Sequence, residues 1–234
     1  RGVDVDRKGD GTPVTAADRE SEAVLVAGLA AAFPDDAISA EEGSSRPGGP
    51  GRWHVDPLDG TSAFVEGLAQ WGPTVGRVEA GRVTHGATWF PRSGDYWYVA
   101  GDDAWLDGAR LPPLTDAGGR PRRPLFVPSR IHAWLRLDWP AKVRNLGSTA
   151  AHLALVAAGG AEAAFVGAGW QPWDTAAGLA LIRAVGGRVA QLDGRPLDFT
   201  ADVGTPFVAG TPRAVDWLTR PGRIAPLDLR GTDG

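Results

Sequence analysis

Apolar positions divide this chain into short helical and alternating stretches. A helix capped by Thr15 is predicted to run through Ala32 and to stop at Phe33-Pro34. The apolar run from Ala37 to Ala40 reads as a short strand. Thr74 to Val78 and Arg82 to Trp89 alternate and read as a hairpin around Glu79-Ala80-Gly81, with Tyr96 to Ala100 as a third strand. Downstream, Ser148 to Ala158 has an Ala/Leu-rich helical pattern and Ala161 to Val166 reads as a strand. Trp173 to Val185 is the most apolar helix and ends at Gly186-Gly187. Ser44 to Gly51 and Leu111 to Pro124 are rich in turn residues and read as loops too short to link domains. There is no internal repeat. Mixed helices and strands imply layered α/β packing of residues 1–234 as one functional unit, with halves of about 1–128 and 129–234.

Four acidic segments punctuate that pattern. Trp53-His54-Val55-Asp56-Pro57-Leu58-Asp59-Gly60-Thr61 ends an apolar run in two carboxylates, followed at once by a Gly-Thr turn. Such a strand end would converge two hard oxygen ligands, and Gly60-Thr61-Ser62 could open a helix whose N–H groups face an anion. The same residues also suit a surface turn. Asp18 falls in the first turn of the first predicted helix, where it is either a capping partner or a functional acid. Glu41 and Glu42 close the Ala37–Ala40 strand as adjacent acids, and a bound cation would relieve their repulsion. Asp174 opens the apolar C-terminal helix, as a cap or as a ligand. Magnesium prefers octahedral oxygen coordination, and Glu41, Asp56, Asp59 and Asp174 could supply it. Clustering four acids without a cation would raise their pKa values, so metal binding is the simplest account of the set.

In order along the chain, VTAAD, AEEG, DPLDGTSAF and WDTAAG resemble the four motifs of the inositol monophosphatase-like superfamily of magnesium-dependent, lithium-sensitive phosphatases, from about Lys8 to about Pro212. The resemblance implies the alternating α-β-α-β-α sandwich of the inositol monophosphatase and fructose-1,6-bisphosphatase fold. It implies two or three Mg2+ ions: a first site of Glu41, Asp56 and the Leu58 carbonyl, a second of Asp56, Asp59 and Asp174, and a weaker third of Glu41 with water. By the same resemblance Thr61 holds the attacking water, Asp18 orients Thr61, Glu42 acts from behind the ligands, and the N–H groups of Gly60 and Thr61 hold the phosphate. The leaving-group side would come from Gly147, Ser148 and Thr149 and from Gly167, where inositol-handling members carry Glu.

These residues predict hydrolysis of a small phosphomonoester of the inositol monophosphate type by a metal-activated water. A 3'(2'),5'-bisphosphate nucleotidase, a histidinol-phosphate phosphatase and a non-catalytic sugar-phosphate-binding relative are the alternatives. A homodimer is expected.

Composition narrows the classes further. Lys and Arg number 24 against 28 Asp and Glu, a formal net charge of −4 with no long basic run, which argues against a nucleic-acid polymer or a membrane as partner. There is no Cys, consistent with a cytoplasmic protein, and no apolar run approaches a membrane span or signal core. With no Met in the chain, a start upstream is expected, and the family resemblance implies helical sequence before the Lys8 region. His54, His85, His132 and His152 lack ligand spacing and are expected to be structural. The ten Trp residues are expected to fill core and interfaces, with Trp173 packed behind Asp174 and Trp170 near the pocket mouth.

Overall fold

A computed structural model describes residues 6–7, 13–116 and 119–227. Among the described residues, five α-helices organise the chain: α1 (Ala16–Ala32), α2 (Thr61–Val65), α3 (Thr149–Ala157), α4 (Pro172–Ala184) and α5 (Pro212–Leu218). An eight-stranded sheet runs in the order Ala109–Arg110, Asp103–Leu106, Asp95–Ala100, Arg82–Phe90, Gly72–Glu79, Gly51–Asp59, Ala37–Ala40, Ser45–Arg46. Its one parallel pair joins Ala37–Ala40 to Gly51–Asp59. A five-stranded sheet follows in the order Val143–Arg144, Leu125–Phe126, Ala163–Val166, Phe207–Gly210, Arg188–Gln191. Helix α1 packs on one face of the large sheet, α3 and α4 lie between the two sheets, and α5 covers the far face of the small one. The layers therefore alternate α-β-α-β-α, as expected.

Most predicted elements are present, with ends shifted by a residue or two. The expected loop from Ser44 to Gly51 differs in kind, because Ser45–Arg46 folds back antiparallel onto Ala37–Ala40. Several two- to four-residue strands and α5 carry no pattern long enough to predict. Alternation in Gly51–Asp59 sends Trp53 and Val55 into a small core with Ile38 and the α1 residues Leu25 and Leu29. The opposite face meets α4.

That contact is unusually close. Gly76 and Gly86 are paired across neighbouring strands. A Cβ on Gly76 would lie 2.4 Å from Ala176 Cβ, and one on Gly86 would lie 2.6 Å from Ala177 Cα. Gly178, on the other side of α4, leaves no room for a Cβ against Leu153 of α3. Small residues on both surfaces thus let the α4 backbone lie almost on the sheet, with the start of α4 beside the end of Gly51–Asp59. Gly86→Val should push α4 off the sheet and destabilise the protein by about 1–3 kcal/mol, the usual cost of overpacking. Thermal denaturation would show this as a fall in Tm of several degrees, and an unchanged Tm would mean that the helix can shift freely.

Candidate metal centre and active site

Residues three apart on a regular strand face opposite sides, so Asp56 and Asp59 need a distortion to converge. The structure supplies it. Asp56 pairs with Thr74 and Asp59 with Gly72, so one strand gains a residue over the other between them. Pro57 sits in this bulge, where its missing N–H costs no ladder bond. Asp56 Oδ1 accepts the Leu58 N–H at 2.8 Å and fixes the turn. Gly60 then adopts φ 87°, and its Cβ position is crowded by Gln70 O and Ser148 Cβ, both at 3.1 Å. Gly147, at φ 85°, faces Ala63 in the same way. The starts of α2 and α3 are thereby locked side by side.

Asp56, Asp59 and Asp174 each place a carboxylate oxygen within 4.8 Å of the others. Asp56 and Asp59 are buried and Asp174 half-buried. Glu41 is not one of the three but lies beside Asp56, just past the end of the neighbouring parallel strand, its N–H donating to the Val55 carbonyl at 3.0 Å. Burial first, and then the charges of Glu41, Asp59 and Asp174, hold the Asp56 carboxyl well above the usual carboxylate range. Asp59 is pushed up to about 6 by burial, against hydrogen bonds from the Ser148 hydroxyl and the Ala150 N–H, with Glu41 pushing the same way as burial. Crowded acids that repel one another, all with oxygen donors, fit a hard divalent cation: Asp56, Asp59 and Asp174 would hold it, with Glu41 beside Asp56 as a further donor.

Each acid is also held by the chain around it. Asp18, the third residue of α1, has Oδ2 bound by Thr15 N–H at 2.8 Å and by Thr15 Oγ1 at 2.6 Å. Its Oδ1 lies 3.3 Å from Thr61 Oγ1, which is also 3.2 Å from the Leu58 carbonyl. The cap and the contact with Thr61 thus use different oxygens of one carboxylate. Asp174 is likewise the third residue of α4, accepting the Gln171 N–H at 2.7 Å, so Gln171 and not Asp174 is the N-cap. Ser148 caps α3 by accepting the Ala151 N–H at 3.0 Å while its hydroxyl donates to Asp59.

A cleft of about 250 Å3 opens beside Asp174, with Thr149, His152, Gly167, Trp170 and Pro128 in its wall. At Gly167 a Cβ would meet only Pro128 Cγ, at 3.4 Å. Trp170 lines the cleft, but its indole N–H is committed to the Thr205 carbonyl at 2.7 Å. Trp173 is half-buried. Burial pulls His152 down to about 4, and its Nε2 accepts the Leu146 N–H at 2.9 Å. His152 therefore holds the turn into Gly147 as a neutral ring. His54, also lowered to about 4 by burial, packs edge-on against Phe199.

One carboxylate escaped the reading of the sequence. Glu22, buried one turn after Asp18 on α1, accepts the Glu42 N–H at 2.7 Å and the Ser44 N–H at 3.0 Å. It holds the backbone that carries Glu41 and Glu42, and its spacing from Asp18 on one helix face was the available signal.

The sequence profile of the inositol monophosphatase family matches residues 1–219. The chain belongs to the inositol monophosphatase family. The histidinol-phosphatase of Chlorobaculum parvum is 34% identical over 206 residues, covering 83% of this chain and 78% of that protein. The 3'(2'),5'-bisphosphate nucleotidase CysQ of Shigella flexneri is 32% identical over 210 residues, covering 85% and 84%. Among solved structures, the IMPase of Thermotoga maritima superposes with a TM-score of 0.79 at 26% identity, over 94% of this chain and 87% of that one. This family member is a phosphoric monoester hydrolase of a metal-dependent family, and its acidic cluster could bind metal.

Glu22→Gln leaves one of the two backbone N–H groups facing an amide NH2 instead of an acceptor. The Glu41 loop should loosen, and affinity for a divalent cation should fall about tenfold or more, the scale seen when groups behind metal ligands are changed. Titration calorimetry with Mg2+ checks this, and an unchanged affinity would confine Glu22 to a packing role.

Proposed function

We propose that this chain hydrolyses a small phosphomonoester of the inositol monophosphate type, with Mg2+ as the cation and two or three ions per site. The observation that carries the reading is the convergence of Asp56, Asp59 and Asp174 beside the Asp18–Thr61 pair, at the joined starts of α2 and α3. In this reading Glu41, Asp56 and the Leu58 carbonyl hold one cation, and Asp56, Asp59 and Asp174 a second. Bound there, the cations would lower the pKa of a water and neutralise charge on the phosphate.

The protein's own groups do the orienting. Asp18 accepts from the Thr61 hydroxyl, which turns the lone pairs of Oγ1 outward to receive a proton of the attacking water. Glu41 takes part in catalysis as a ligand and, with a water, in a weaker third cation site. The N–H groups of Gly60 and Thr61 hold phosphate oxygens. Gly147, Ser148 and Thr149 shape the leaving-group side, where Ser148 acts through Asp59 and Thr149 faces the cleft. Lithium sensitivity, a homodimer and a cytoplasmic location belong to the same proposal and rest on the family likeness.

Substrate choice turns on Gly167. The 250 Å3 cleft has no carboxylate at that position to pair a ring hydroxyl, which favours broad acceptance of phosphomonoesters, histidinol phosphate and adenosine 3',5'-bisphosphate included. A panel of these esters and inositol 1-phosphate, assayed with Mg2+, is expected to show metal-dependent phosphate release with modest discrimination. A Cβ at Gly167 makes only ordinary contact with Pro128, and Gly167→Glu should raise kcat/KM for inositol 1-phosphate relative to the others. No release from any ester would leave a sugar-phosphate-binding protein as the reading.

Thr61→Ala keeps the backbone that holds phosphate and removes the hydroxyl. kcat should fall by roughly 10²-fold or more, the scale of a positioned proton-transfer group, with Mg2+ affinity nearly unchanged. Loss of Mg2+ binding with full turnover per bound ion would show that Thr61 serves the metal instead.

A further inference from the structure

Positive charge gathers far from the acidic centre. Between residues 111 and 144 the chain has seven Arg or Lys against two Asp, although its net charge is −4. Folding brings part of this segment into one cleft of about 930 Å3, lined by Arg120, Arg122 and Arg123 on one wall and by Pro140 and Lys142 on the other. The Leu125 N–H donates to the Lys142 carbonyl at 2.9 Å and joins the walls at their base.

The cleft is built in advance of any ligand. Glu162, almost wholly buried, accepts the backbone N–H groups of Arg122 and Arg123 at 2.8 and 3.0 Å and pairs with Arg213 at 2.6 Å. The Arg123 guanidinium is spent on the Gly159 carbonyl at 2.8 Å, and Trp139 Nε1 donates to the Arg123 carbonyl at 3.2 Å from below. Arg120 lies over the Trp217 ring at 5.7 Å. Among the described residues, Arg120, Arg122 and Lys142 form no ion pair with a carboxylate, and their side chains are exposed. Glu162 thus satisfies the backbone of the loop, while Arg122 and Lys142 face solvent and Arg120 rests against the Trp217 ring.

Position separates this cleft from the active site. Leu125–Phe126 and Val143–Arg144 run parallel, with Arg123 and Lys142 before them and Pro128 and Gly147 after them. The cationic cleft therefore lies at their N-terminal ends, while the acidic centre and its 250 Å3 cleft lie beyond their C-terminal ends. We propose that the Arg120–Arg122–Lys142 cleft is a second binding site, separate from the catalytic one, for a small molecule carrying two or more phosphate groups. Guanidinium forks match phosphate oxygens, several exposed cations carried on a held backbone suit a multiply charged anion, and a concave proline-walled space suits a small ligand.

Inorganic tripolyphosphate, titrated calorimetrically in metal-free buffer, is the probe, so that the acidic centre cannot take up phosphate. The proteins are the wild type, Asp59→Asn, and a triple variant Arg120→Gln, Arg122→Gln, Lys142→Gln. Arg123 is left in place because it holds the Gly159 carbonyl. Saturable binding is expected to be equal in the wild type and Asp59→Asn and about tenfold or more weaker in the triple variant, as charge-assisted contacts are lost. The triple variant should keep its Tm and its Mg2+-dependent phosphatase activity. No saturable binding, binding unchanged in the triple variant, or binding lost in Asp59→Asn would each overturn the proposal. So would a ten-nucleotide single-stranded RNA that bound more tightly than tripolyphosphate through the same three residues, because the occupant would then be a nucleic-acid strand.

Discussion

Like charges held in a buried place are the constraint on which this structure is arranged. Asp56, Asp59 and Asp174 come within 4.8 Å of one another with Glu41 beside them, and such a cluster is unfavourable unless donors and a cation answer it. The fold supplies donors one acid at a time. Leu58 N–H serves Asp56, Ser148 and Ala150 serve Asp59, Gln171 N–H serves Asp174, and Thr15 serves Asp18. Most of these donors come from helix starts or tight turns, where the backbone has N–H groups with no partner of their own. A cation would draw on further lone pairs of Asp56, Asp59 and Asp174.

Convergence also demands close packing, and glycine provides it. Gly76, Gly86 and Gly178 let α4 lie against the sheet on one side and α3 on the other, which brings Asp174 to the end of Gly51–Asp59. Gly60 and Gly147 interlock the starts of α2 and α3. A substituent at any of these positions would move a carboxylate rather than open a harmless gap, so the packing of the core and the geometry of the site are a single problem. Glu22 shows the same economy in α1, where one helix face carries both the acid that meets the Thr61 hydroxyl and the acid that holds the Glu41 loop.

Charge is sorted between two places in the structure. Acids converge where Gly51–Asp59 of the large sheet ends and α4 begins, whereas cations gather, exposed, at the N-terminal ends of Leu125–Phe126 and Val143–Arg144 in the small sheet. Glu162 links the two regimes as a buried acid whose neighbours are all donors: two backbone N–H groups and Arg213 hold its carboxyl below the usual range despite burial. It stabilises the loop that joins the sheets, and the loop's own arginines are left to face solvent.

The amino-acid sequence by itself determined the elements with strong local signals and the identity of the acids. Thr15 and Phe33-Pro34 bound α1, Ala80-Gly81 closes a hairpin at positive φ, and four acidic motifs in order mark the family, because caps, turns and motifs are encoded within a few residues. It did not show the strands Leu125–Phe126, Arg188–Gln191 and Phe207–Gly210, which are too short to carry a period and exist through their partners across the sheet. Nor did it show how Asp56 and Asp59 reach one face, since that depends on a bulge defined only against Thr74 and Gly72. The role of Glu22, the commitment of Ser148 to Asp59 and the gathering of Arg120, Arg122 and Lys142 into one cleft were decided by tertiary structure alone. Each is a meeting of groups some 20 to 89 residues apart in the chain, and no local spacing records which distant surfaces will touch.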